Sequence, residues 1–293
     1  MNYAKPIRDL QLLVASLACL TAVLSGCDDD KQGIELSIPA GQDVAWQYEV
    51  WQTGLDDSTR IGSLHVANVG QIDFEDRSDI LRQRNIKYLN TAPEDSSISS
   101  SYLDLSGTYK FEHFAGSYYE MYRATLDRDV LDTLTREQPE GPDFQNFYEY
   151  SPGWVVLARF DESTTSSYEV HKPRKVYLDF SLRGHQITGL VNVSTKGLFL
   201  GSERISVPLR DSIFTYKIRH ATHFDFNVSR DSVELPTFRE TFHLTTWYHP
   251  EAGIVQQYRS PIALDIPSVP SRYPSIYVPG EVWALKDVVG FSL

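Results

Sequence analysis

From about Ile34 onward the apolar residues fall in short runs rich in β-branched and aromatic side chains, cut by turn residues. That period restricts the chain to an all-β or mostly β fold, because side chains on a strand alternate between faces every second residue. Val44 to Trp51 shows the pattern, with Trp46, Tyr48 and Val50 on one parity. The stretch Tyr102 to Gly107 predicts another strand, as do residues 108–114, 154–160, 176–182, 187–194, 213–220, 224–228, 238–248, 254–258 and 282–288. Arg183-Gly184-His185 suits a tight hairpin and His249-Pro250-Glu251-Ala252-Gly253 a longer one, so antiparallel pairing is expected. No tandem period suggests a propeller or solenoid.

Two segments depart from this pattern. Leu126, Val130, Leu131 and Leu134 recur at helical spacing, so Thr125 to Glu137 is predicted to be an amphipathic helix ended by Gln138-Pro139-Glu140-Gly141-Pro142. One helix in a sheet protein covers an open face or plugs a barrel mouth. Pro261, Pro267, Pro270, Pro274 and Pro279 are expected to break any regular element between Ile262 and Val278 and leave an extended strap over 261–279.

The amino terminus has a different character. Lys5 and Arg8 precede an uncharged stretch from Leu10 to Val23, and small residues Ser25 and Gly26 lead to Cys27. This is the layout of a secretory signal, and its apolar run is shorter than the roughly 20 residues that a membrane-crossing helix needs. Leu24-Ser25-Gly26-Cys27 resembles a bacterial lipobox, which implies cleavage before Cys27 and acylation of its sulfur and new amino group. The expected organisation is a lipoprotein signal peptide over 1–26, an acidic tether over 27–33 and a single β-rich domain over 34–293. Cys19 leaves with the leader, so the mature chain has neither a free thiol nor a disulfide. Asp28 and Asp29 are candidate sorting residues. In enteric bacteria an aspartate after the lipidated cysteine resembles the signal for retention in the inner membrane, and a solvated tether is the alternative. The expected location is the cell envelope, anchored by lipid in the inner membrane and facing the periplasm, with the outer membrane as the alternative.

The whole chain carries 27 Lys+Arg against 39 Asp+Glu, a net −12. With Lys5, Arg8 and Asp9 removed in the leader, −13 remains. Such a charge opposes nucleic acid as a partner and repels anionic lipid, so attachment rests on the acyl chains. Enzyme signatures G-x-S-x-G, H-E-x-x-H, the P-loop and the dinucleotide glycine fingerprint are all missing from the sequence. No catalytic or cofactor-binding residue is assigned, and the balance leans against an enzyme.

His220, His223 and Asp225 make the most metal-like cluster, yet an i,i+3 pair on a regular strand points to opposite faces, so exposed or hairpin-edge histidines are expected and no metal is assigned. Asp73, Glu75, Asp76 and Asp79 lack the spacing of a calcium loop and are read as solvated loop charges. The aromatic residues suit either a core or a ligand surface. Trp46, Tyr48 and Trp154 are expected to fill the interior.

The segment TFHLTTWYHPEAGIVQQY, Thr241 to Tyr258, resembles a strand-turn-strand signature of bacterial secreted and lipid-anchored proteins, W-Y-x-P-x-x-G-x-V, matched here by Trp247, Tyr248, Pro250, Gly253 and Val255. Val207-Pro208 and Gly189 fit its surroundings. Such proteins are similar in outline to the lipoprotein-carrier folds of the bacterial envelope. The resemblance implies a curved antiparallel sheet, a half-barrel or open barrel, with one short helix over its concave side. It supplies no catalytic residue. Two functions are therefore expected. The first is a non-catalytic envelope protein that binds an apolar ligand or another envelope protein on the curved sheet. The second is a carbohydrate-binding protein or a glycan hydrolase using two carboxylates.

Overall fold

In the computed structural model of the protein, the described residues are 36–293, except 55–56, 75, 90–100, 105–109, 116–117, 124–152, 161–166, 183 and 268–275. The predicted helix over 125–137 lies outside them. Every regular element among the described residues is a strand: β1 (Ala45–Thr53), β2 (Ser58–Phe74), β3 (Arg77–Leu89), β4 (Ser101–Asp104), β5 (Lys110–Ala115), β6 (Tyr118–Arg123), β7 (Gly153–Arg159), β8 (Tyr168–Leu182), β9 (His185–Val207), β10 (Arg210–Arg230), β11 (Val233–Glu234), β12 (Phe238–His249), β13 (Gly253–Arg259), β14 (Ile262–Leu264), β15 (Ile276–Val278) and β16 (Gly280–Val289).

One antiparallel sheet runs in the order β7-β6-β5-β3-β2-β1-β16-β13-β12-β10-β9-β8, with β4 beside β3 and β11 beside β10. The order is a meander folded about one seam. The first part of the chain steps outward from β1 to β7, the second steps inward from β8 to β16, and β1 pairs with β16 from Ala45↔Val289 to Thr53↔Gly280. The sheet is therefore mostly β, antiparallel and open, as the sequence pattern and the resemblance predict.

This topology forces curvature. Twelve strands side by side at about 4.8 Å spacing would be about 50 Å across if flat. The edge strands β7 and β8 are joined through residues 160–167, and nine steps of extended chain reach only about 30 Å. The sheet has to curl until its two edges come within that reach.

The predicted turns hold. Leu182 pairs with His185 around Gly184 at φ +80°, and His249 pairs with Gly253 at φ +70°. Four strands outside the strap, β2, β3, β6 and the two-residue β11, were not predicted. In β2 a bulge between Asn68 and Gly70 breaks the two-residue period, and the inward position is polar: buried Asn68 bonds Gln83 of β3 and the Pro39 carbonyl. The strap also differs from expectation, because β14 and β15 pair as a separate ribbon, Ile262↔Val278 to Leu264↔Ile276. Pro267, Pro270 and Pro274 fall between the two short strands, and Pro261 and Pro279 flank them, so no proline removes a donor from the ladder.

Three apolar clusters line the inner face. Val176, Leu178, Val191, Phe226 and Val228 form one, with Ile266 of the strap packed on it. Trp46, Tyr48, Val50, Leu64, Val255 and Leu285 form the second, and Leu36, Ala158, Phe160, Ile218 and Tyr248 the third. The long strand β10 supplies Phe226, Ile213 and Ile218 to the three respectively, so it ties them into one interior. The expectation that Trp46 and Tyr48 are interior holds, while Trp154 is only partly buried.

Gly197 of β9 leaves room for the Tyr168 ring, which crosses it from β8: a Cβ there would sit 2.2 Å from Tyr168 Cζ. Tyr168 is fixed by a further bond described below, so it cannot simply swing away. Gly197→Ala is expected to cost about 1–3 kcal/mol of stability, as overpacking does. Urea denaturation checks this, and Tyr168→Ala in the same chain should remove most of the extra penalty of the alanine.

Candidate functional site

Cys27, Asp28 and Asp29 lie outside the described residues. The chain that follows them joins the folded body at a defined place. The Ser37 amide donates to the Pro250 carbonyl at 2.8 Å, Asn68 Nδ2 donates to the Pro39 carbonyl at 2.9 Å, and Leu36 is buried beside Phe160 and Tyr248. Ile38 packs between the second and third clusters. Residues 36–39 thus join the body beside the turn linking β12 and β13.

The two sheet edges meet close to the same place. In the β6–β7 ladder Tyr119 pairs with Ala158 and Glu120 with Val156, so Leu157 is an extra, bulged residue without a ladder partner. Its carbonyl needs hydrogen bonds from elsewhere. It receives two, from Tyr168 Oη of β8 at 2.7 Å and from His220 Nε2 of β10 at 2.5 Å. A carbonyl only accepts, so Nε2 carries the proton of a neutral imidazole. Both donors flank Gly197, which pairs with Tyr168 on one side and His220 on the other. Next to the clip, the ring of Phe160 meets Tyr248 at 5.4 Å, Tyr216 at 5.8 Å and Phe199 at 6.4 Å between centroids. Side chains rather than a backbone ladder thus bring β7 against the far end of the sheet.

Burial shapes the ionisation of this clip. It holds His220 below the ordinary imidazole value, with the Leu157 bond opposing, and it pushes the Tyr168 phenol well above its usual range.

The histidine cluster is not as expected. The β9–β10 ladder is regular from Ile218 to Arg230, so His220 and His223 point to opposite faces. His220 is buried, not exposed or at a hairpin edge, because the Leu157 carbonyl and the aromatic cluster enclose it. His223 Nδ1 bonds Thr241 Oγ1 at 2.9 Å, and Asp225 is held by Arg239. Among the described residues no three His, Cys, Asp or Glu side chains converge. Asp73, Asp76 and Asp79 are exposed around the β2–β3 hairpin, in keeping with solvated charges.

None of the five tryptophans is exposed. Trp247 Nε1 donates to Glu203, and Lys217 sits 5.0 Å over its ring while bonding the same carboxylate. Trp247 is thus engaged within the protein through its indole nitrogen and one face of its ring.

No protein-family model and no curated protein matches the sequence. Among solved structures the chain is similar to a candidate lipoprotein from Parabacteroides distasonis, with 11% identity, TM-score 0.40, and 88% of this chain and 100% of that one covered. It is also similar to a candidate exported protein with a YmcC-like fold from Bacteroides fragilis, with 9% identity, TM-score 0.34, and 87% of this chain and 99% of that one covered.

Sequence reasoning weighed His220 as a metal ligand and did not find Tyr168 or the carbonyl they share. The clip makes stability depend on pH in a stated direction. Because the folded state lowers the pKa of His220, the unfolded chain takes up the proton first as pH falls through the ordinary value of 6.5. The imidazole's contribution is complete above that value and is lost on acidification down to the folded pKa. The urea midpoint of the parent is expected to fall between about pH 7.5 and 5.5, and His220→Gln should abolish that component of the fall.

Proposed function

We propose that the protein is a lipid-anchored, non-catalytic component of the bacterial cell envelope, held through Cys27 and working by binding another envelope protein. The observation that carries this reading is the fixed junction of tether and body at Ser37 and Pro250. Ser37 is ten Cα steps beyond Cys27, so the body stays within about 35 Å of an anchoring bilayer. Two or three acyl chains on one cysteine give stable attachment without basic residues, which suits a body of net −13. Asp28 and Asp29 then act as sorting residues that keep the protein in the inner membrane, facing the periplasm.

Between the two kinds of occupant, a protein is favoured over an apolar small molecule. Around Phe160 the inner face is taken up by contacts among its own aromatic rings, whereas edge strand β8 and its neighbour expose Tyr177 and Leu190, a cross-strand pair on the outside.

Cys27→Ser is expected to move the protein from the membrane fraction to the soluble fraction and to abolish labelling by palmitate. Continued sedimentation with bilayers would end the anchor reading. Asp28→Ser with Asp29→Ser should shift the protein toward the outer-membrane fraction on a density gradient. Native mass spectrometry of the detergent-extracted parent should retain a second protein, and a stoichiometric lipid adduct without one would return the reading to an apolar ligand.

A further inference from the structure

We propose that the open edge of β8 pairs with the same edge of a second copy of the chain, antiparallel and about a two-fold axis through Tyr177. Self-pairing rests on the reading above that a protein occupies the outside of β8, and it makes that protein a second copy. Among the described residues β8 ends the sheet and has one ladder neighbour, β9. From Lys175↔Asn192 to Leu182↔His185 that ladder is uninterrupted. β7 engages the other end of the strand, where Tyr168 bonds Leu157.

The neighbouring strands decide which backbone groups face the open side. In an antiparallel ladder one residue directs both its amide and its carbonyl to one neighbour, and the next residue directs both to the other. The Gln186 carbonyl accepts from the Asp231 amide at 2.9 Å, and the Gln186 amide donates to Asp231 Oδ1 at 2.9 Å, so Gln186 faces β10. His185 and Ile187 therefore face β8, where they pair with Leu182 and Phe180. Ser181, Asp179, Tyr177 and Lys175 are left with amides and carbonyls directed at the open edge. Their side chains share the outer face and are exposed, whereas Val176 and Leu178 are buried in the first apolar cluster.

The side chains select one register for this pairing. A two-fold axis normal to the sheet keeps the inner faces of both copies on one side, so residues that meet have to share a face. Centred on Tyr177, Lys175 of each copy stands directly opposite Asp179 of the other, and opposite charges so placed attract. Centred on Lys175 or on Asp179, the same edge would oppose like charges, and centred on Val176 or Leu178 it would set neither charge against its opposite. Gln186 Nε2 donates to Asp179 and holds the carboxylate on this face. At the axis Tyr177 meets Tyr177 of the other copy, with Leu190 flanking on each side. Side chains that are 54% and 42% exposed in one chain thereby form a single apolar row. Pairing stops at Pro173, which has no amide to donate. A two-fold contact uses each edge once, so it closes at a dimer and does not run on into a fibre.

The test is sedimentation equilibrium of the detergent-extracted full chain and of the Cys27→Ser chain without detergent, with disulfide trapping to read the register. A dimer with a Kd of about 100 μM or tighter is expected in both, as suits a small interface. Lys175→Glu and Asp179→Lys should each weaken it about tenfold, because each sets like charges opposite one another twice in the dimer. The two substitutions together exchange the charges and should restore the Kd to within about threefold of the parent. On oxidation Tyr177→Cys should give a disulfide-linked dimer, since facing Cα atoms lie about 5.5 Å apart, within the reach of a disulfide. Asp179→Cys should not, because its copies are offset by about 13 Å along the strand. A chain that stays monomeric up to about 200 μM, a charge exchange that leaves the dimer as weak as the single variants do, or cross-linking at 179 equal to that at 177 would overturn self-pairing. A monomer that retains a different protein in native mass spectrometry overturns self-pairing and leaves the protein-binding reading standing, whereas a monomer that retains only lipid ends both.

Discussion

The short link between β7 and β8 governs the rest of the structure. A meander that begins and ends at the central β1–β16 seam necessarily places its midpoint at both outer edges, and residues 160–167 then tie those edges together. The sheet is obliged to coil, and coiling brings together clusters that a flat sheet would hold far apart. The bulge at Leu157 is the local device that completes this. It frees one carbonyl from the β6–β7 ladder and turns it toward Tyr168 and His220. A related contact lies beside a second bulge, whose extra residue is Val255: Tyr48 Oη of β1 donates to the carbonyl of the neighbouring Ile254 of β13 at 2.7 Å across the intervening β16. Tyrosine suits both positions because its ring fills the interior while its hydroxyl satisfies a carbonyl at or beside a bulge.

Charge and curvature together define how the molecule sits in its surroundings. Several cations of the described structure are paired within it. Glu49 takes Arg60 and Lys286, Glu203 takes Lys217, and Asp225 takes Arg239. What remains exposed is predominantly acidic, so an anionic bilayer repels the body as a whole while an acylated cysteine would hold it near.

The β architecture was legible in the sequence wherever one face is apolar and the other polar, as in β1, β12 and β13. It was illegible where the inner face is itself polar or the period slips. β2 and β3 bury Asn68 and Gln83 against each other, and a search for alternating apolar residues passes over them. The strap was read as irregular because its prolines were counted without regard to position, although the residues between them can pair. The closing clip left no trace in sequence at all. A tyrosine, a histidine and a bulged carbonyl lie far apart along the chain, and only the coiling of the sheet gives them a common address.

Closing the sheet by side chains rather than by a ladder leaves β8 an edge strand, and an exposed edge invites unwanted pairing. The two ends of β8 treat that hazard differently. Near Tyr168 the strand lies against β7, its register with β9 breaks twice between Glu169 and Arg174, and Lys172 and Pro173 fall within the break. Bulges, proline and lysine are the devices that blunt an edge. Beyond Arg174 the ladder runs without interruption from Lys175↔Asn192 to Leu182↔His185, and Tyr177 stands exposed beside Leu190. The half of the strand that is already engaged by β7 is also the half made unfit for pairing, while the regular half carries the exposed apolar pair. A partner that extends the sheet would therefore meet it along Val176 to Leu182, with its register set by the uninterrupted ladder and its side-chain preference by Tyr177 and Leu190.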